Sequence, residues 1–150
     1  MILKLRQRMA QDQSGFTLVE LLVVMLILGL LAAIAIPAFF NQRDKAKDAS
    51  AKEQVRTAET AMETYATDHD GHYDGSPNAA APTPATLHGI ENTLDDTKLS
   101  VDAVAPASYK VTATSDTGNT FIITRNSDGT TDLTCDAGGT AGCPTGGNWG

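Results

Sequence analysis

Residues 16–36 read FTLVELLVVMLILGLLAAIAI, 21 positions with a single charge, Glu20. Coiled as an α-helix this run spans about 32 Å, close to the hydrocarbon thickness of a bilayer. No polar stripe divides it, so such a helix needs lipid or other apolar helices on every side. Pro37 follows; it has no N–H to give the Ala33 carbonyl, so a kink or loosened turn is expected there, with Gly29 a second weak point. Past Pro37 the pattern changes. Residues 38–66 contain no Gly or Pro and are rich in Ala, Lys, Glu and Gln. Ala51, Val55, Ala58, Met62 and Tyr65 recur at spacings of three or four, which makes one apolar face with charge on the other. The two runs together predict one long helix, apolar all round in its first half and one-sided in its second.

The helix should stop at TDHDGHYDGSP, where Asp, Gly and Pro accumulate. Residues 76–86, SPNAAAPTPAT, read as an irregular surface loop. Short strand patterns follow at 108–114, 120–125 and 130–135, with a further one at 99–104, separated by the turn sequences SDTGN and NSDGT. The expectation is an α+β fold, a long N-terminal helix packed on a small antiparallel meander. The divisions are residues 1–15, 16–37, 38–66 and 67–150, the last ending in a Gly-rich tail. Aromatic residues are only 5% of the chain, so the core must rest on Val, Ile, Leu and Ala.

Charge sharpens this picture. The formal net charge is −7, yet residues 1–15 carry Lys4, Arg6 and Arg8 against Asp12. A basic patch ahead of an apolar run holds an N-terminus in the cytoplasm. The acidic remainder is a poor match for nucleic-acid phosphate, so no direct nucleic-acid contact is expected. Cys135 and Cys143 can pair if this part of the chain is exported, and closing so small a loop stabilises by ~2.5 kcal/mol.

Other candidate chemistry is thin. Asp68, His69, Asp70, His72 and Asp74 form an Asp-rich run, but one that lacks the distant Glu of a calcium loop and sits where a helix must end. His88 stands alone. No metal site, cofactor or catalytic residue is expected, there being no phosphate loop, dinucleotide glycine motif or nucleophile–base pair. Trp149 is either a plug for the sheet or an exposed tip.

Glu20 is the residue that demands an explanation, because a charge in a membrane span costs a few kcal/mol without a partner. A cut between Gly15 and Phe16 creates an α-amine four residues away, able to neutralise it within one chain or between two. The stretch SGFTLVELLVVMLILGLLAAIAIP resembles the class III signal of type IV pilins and pseudopilins. It has a short basic leader ending in Gly15, then Phe16, then Glu20 as fifth residue of the mature chain, with Gly29 and Pro37 where pilins often carry such residues.

The resemblance implies cleavage after Gly15 by a prepilin peptidase and N-methylation of Phe16. The precursor would be a single-pass protein of the cytoplasmic membrane. The mature subunit would leave through a membrane assembly platform and join a helical homopolymer on the cell surface, Glu20 meeting the Phe16 amine of an adjacent subunit. The segment from Gly29 to Pro37 would unwind to let the fibre stretch. A type IV pilus subunit serving adhesion, twitching motility or DNA uptake is the first expectation. A pseudopilin of a type II secretion system is the second. The third is a secreted binding domain behind an ordinary signal peptide, against which stand the length of the apolar run and Glu20.

Overall fold

The computed structural model describes residues 15–136 and 138–150, so the basic leader positions Lys4, Arg6, Arg8 and Asp12 lie outside the described residues. The chain divides into two compact units, Met1–Phe40 and Asn41–Gly150.

In the first unit, Leu18 opens helix α1, which spans Leu18–Asp68 without interruption. Pro37 lies inside the helix and does not end it. The one hydrogen bond it withholds from Ala33 is outweighed by the strong helix formers on both sides. Its apolar window is long enough to cross a membrane and none of it is buried. Leu18, Met25, Ile34 and Phe39 are among the large side chains left exposed.

In the second unit, the rest of α1 lays Ala51, Val55, Ala58, Ala61, Met62 and Tyr65 into the core. The predicted face is therefore the buried face. A four-stranded antiparallel sheet in the order β1-β2-β3-β4 completes the core. It comprises β1 (Leu99–Ala105), β2 (Ser108–Thr114), β3 (Thr120–Arg125) and β4 (Thr131–Cys135). Alternation sets which side chains point inward: Tyr109, Val111 and Ala113 on β2, Phe121 and Ile123 on β3. Register pairs Val111 with Ile123 and Phe121 with Cys135. These residues form one cluster with the helix face. Each fully buried Val, Ile or Phe contributes about 1.5–3 kcal/mol.

One element departs from the sequence reading. Part of the stretch read as irregular loop begins α2, Pro84–Ile90. Thr83 caps it by accepting from Thr86 N at 3.3 Å while Thr86 Oγ1 accepts from Thr83 N at 3.2 Å, and Pro84 fills the first turn where no N–H is needed. Leu87, fully buried, pins the helix to the core.

Candidate functional site

Gly15 and Phe16 precede α1, and Phe16 is 79% exposed. A Cβ added at Gly15 meets nothing within 4 Å. The fold itself therefore does not require glycine there, and neither does it at Gly29, where the surroundings are equally open.

Thr17 and Glu20 build the start of α1 together. Thr17 Oγ1 accepts from Glu20 N at 3.2 Å, and Glu20 Oε2 accepts from Thr17 N at 3.4 Å. The Thr17 carbonyl takes the first helical bond, from Leu21 N at 3.2 Å. This is a capping box, and its carboxylate also sits favourably at the positive end of the helix dipole. The T-x-x-E signal stands in the sequence at 17–20. The apolar run around it makes Glu20 read as a charge in need of a partner rather than as a cap. Glu20 thus holds one backbone donor of its own chain, the Thr17 N–H, and its side chain is exposed.

In the second unit the polar anchors lie on the helix itself. Asp48 is fully buried, one turn before Ala51 on the apolar face. Its carboxylate accepts from Ser115 Oγ at 2.6 Å, Asn119 Nδ2 at 2.7 Å and Gly142 N at 2.8 Å, with Thr117 Oγ1 as a further donor. Burial alone would raise this carboxyl's pKa; the donors outweigh it and hold the group below its ordinary value. Gln54 spans to the 91–95 turn, donating to Thr93 O at 3.0 Å and accepting from Asp95 N at 2.9 Å. Glu63 accepts from Tyr73 OH at 2.9 Å and Tyr109 OH at 3.2 Å. Burial and the Glu63 carboxylate push both phenols up, so they stay protonated donors. The sequence reading placed the charges of this helix on the solvent side; Asp48 corrects it, because four donors from distant loops converge on that one position.

The cysteines are joined: Cys135 and Cys143 form a disulfide with Cα atoms 5.9 Å apart, closing the loop that presents Gly142 to Asp48. Trp149 packs edge-on against Phe121, ring centres 5.9 Å apart, and its Nε1 donates to Thr134 O at 2.7 Å. It plugs the sheet. His88 Nδ1 lies 2.7 Å from Leu94 O. In the Asp-rich run, the ring of His69 stacks on Tyr65 at 4.0 Å, and Asp74 Oδ1 accepts from Ser76 N at 3.0 Å. Asp70, at φ 54, and Gly71, at φ 85, turn the chain out of α1, with Gly71 N donating to Ala66 O at 2.8 Å. These residues serve the helix end.

The N-terminal sequence has counterparts in known proteins. Residues 11–36 match the prokaryotic N-terminal methylation motif. Over its N-terminal part the chain is similar to pilins and pseudopilins. Its relatives include a type II secretion system core protein G of Pseudomonas aeruginosa, 35% identical over 81 residues, which are 54% of this chain and 49% of that protein. The type IV major pilin protein PilA of Myxococcus xanthus is 40% identical over 60 residues, 40% of this chain and 27% of that one. The competence protein ComGC of Halalkalibacterium halodurans is 34% identical over 58 residues, 39% of this chain and 57% of that one. The chain thus spans about half or less of the length of the first two relatives. No solved structure matches it. The capped helix start and the open glycine fall inside the matched motif.

Proposed function

We propose that this chain is the structural subunit of a type IV pilus. It is cut between Gly15 and Phe16 by a prepilin peptidase, N-methylated on Phe16 and polymerised through the first half of α1. It is the substrate of an enzyme rather than one itself. The observation that carries this reading is the surface of residues 16–40, most of which lie inside the matched motif: nearly every large apolar side chain there is exposed, on all sides of the helix. In the precursor, lipid covers that surface; after export only sister helices can do so. The open surroundings of Gly15 support the same view, since its glycine suits a peptidase that must approach the backbone closely. Once the cut is made, the Phe16 amine of an adjacent subunit supplies the cation for Glu20. Packing out of register leaves that carboxylate buried without a countercharge, which is strongly unfavourable.

A second reading, a pseudopilin of a type II secretion system, is supported by the longer alignment with the Pseudomonas protein, 81 residues against 60 for the Myxococcus pilin.

The N-terminal sequence and intact mass of protein sheared from cells test the proposal. The expected chain begins at N-methyl Phe16 and is two hydrogens lighter for the disulfide. A soluble monomer beginning beyond Ala35 overturns it in favour of an ordinary secreted domain. Deletion separates the other two: loss of surface filaments marks a pilus subunit, loss of exoprotein secretion a pseudopilin.

A further inference from the structure

The charges of the second unit are sorted along its helix. Residues 41–150 hold eight Lys and Arg against sixteen Asp and Glu. Five of those eight cations stand within residues 43–56, whereas residues 57–74 hold five carboxylates and no Lys or Arg. The helix is therefore basic where it enters the unit and acidic where it ends.

Two features of this sorting point beyond the single chain. First, the acidic end opposes the helix dipole. The last turn of α1 has no basic residue and closes on Asp68, with exposed Asp70 just beyond it. Carboxylates there face the negative pole of the helix and lower its stability unless cations approach from elsewhere. Second, three of the cations have no close carboxylate partner. Lys45, Lys52 and Arg56, seven and eleven residues apart from the first, lie on one helix face. None has a carboxylate within 4.0 Å among the described residues. Two are held in place by aromatic rings instead: Arg56 Cζ lies 5.0 Å and Lys52 Nζ 5.5 Å from the centre of the Trp149 ring, and Lys52 also lies 5.3 Å from that of Phe121. They flank an open groove of about 740 Å³ that Ala49 and Trp149 help to line, with Glu53 and Glu91 also on its wall.

We propose that the stripe Lys45, Lys52 and Arg56 of one copy docks on the acidic helix end, Asp68 and Asp70, of a second copy. This rests on the reading of the chain as a polymerising subunit and adds the surface by which the exported units meet. The contact is heterologous, two different patches of one chain, so it repeats without closing and suits a fibre. Opposite charges fix the register and disfavour copies placed side by side, where like would face like. With parallel helices, the rise per helical residue sets the stagger between contacting copies at between about 18 Å (Arg56 to Asp68) and about 35 Å (Lys45 to Asp68).

The test is made on the full chain in a host that assembles it. Lys52→Glu/Arg56→Glu should lower the mass of sheared filaments about tenfold or more. Adding Asp68→Lys and Asp70→Asn to the same chain should restore assembly; Asn is tolerated at the positive φ of Asp70. Carbodiimide treatment of filaments grown from mixed isotope-labelled and unlabelled subunits should couple Lys45 or Lys52 to Asp68 or Asp70 between labelled and unlabelled chains. Unchanged assembly of the Lys52→Glu/Arg56→Glu chain overturns the docking surface while leaving the polymer reading intact. So does failure of the compensating pair to rescue, or coupling of these lysines only to another protein. A parent chain that never forms filaments overturns both readings.

Discussion

The carboxylate of Asp48 accepts the backbone N–H of Gly142 at 2.8 Å, across 94 positions of chain. The approach is close enough that a Cβ on Gly142 would lie 2.6 Å from the Cβ of Asp48. Helix and disulfide loop meet here with no room for a side chain between them, and Ser115, Thr117 and Asn119 bring the β2–β3 turn to the same carboxylate.

Asp48→Ala leaves several donors facing a buried void. A loss of about 3–5 kcal/mol in unfolding free energy is expected, as for one partner removed from a buried charged network. Urea denaturation of the oxidised protein measures it. A loss under 1 kcal/mol shows that water replaces the carboxylate at little cost.

The same group makes stability depend on pH. Its carboxyl lies below the ordinary value of 3.8 in the folded chain. The unfolded chain therefore takes up the proton first as pH falls. The stabilisation is complete above the unfolded value of about 4 and disappears as pH drops through the lower folded value. Plotted against pH, the stability difference between the parent and Asp48→Asn should shrink below pH ~4; a difference that stays constant down to pH ~2 contradicts the assignment.

Gly142→Ala should behave unlike Gly29→Ala. The first forces apart Asp48 and the loop, with an expected loss of about 1–3 kcal/mol from overpacking. The second meets open space in the middle of a helix, where Ala favours the helix by roughly 0.5–1 kcal/mol. Thermal melts of the two variants side by side check the contrast, and equal melting temperatures refute it.

Glu20→Gln separates the two tasks of that residue. Glutamine retains the oxygen that caps Thr17 N but carries no charge. The precursor should still be cut after Gly15, whereas filaments should be lost. Normal filament yield from Glu20→Gln means that the cap, not the charge, is what assembly needs.

Reduction of Cys135–Cys143, or replacement of both by Ser, should remove about 2–4 kcal/mol. It should also free the Gly142 amide from Asp48, visible as faster hydrogen exchange at that amide. Unchanged protection there indicates that Asp48 holds the loop without the covalent link.

How much of this was legible depended on the range of the interaction concerned. The apolar run announces itself by its unbroken length, and the amphipathic face through Ala51, Val55, Ala58, Met62 and Tyr65 and the four strands by periods of 3.6 and 2 and by the turns between them. Helix α2 was missed because seven residues give too little periodicity, and because Thr86 does in its capping box what Glu or Gln usually does. The continuity of the helix through Pro37 was legible too, because the cost of one missing bond is local and helix formers stand on both sides.

The sequence by itself determined the character of the N-terminal segment, since a Gly-Phe dipeptide, a placed carboxylate and an unbroken apolar run are all properties of consecutive residues. Only the tertiary structure decided that Asp48 belongs to the core, that Glu63 gathers Tyr73 and Tyr109, and that Lys52 and Arg56 stand over Trp149. A lone Asp or Lys on a helix reads as solvated until the fold brings partners to it. Most of those partners are distant in the chain, Tyr109 46 positions from Glu63 and Gly142 94 from Asp48, at separations where no local pattern of side chains records the contact.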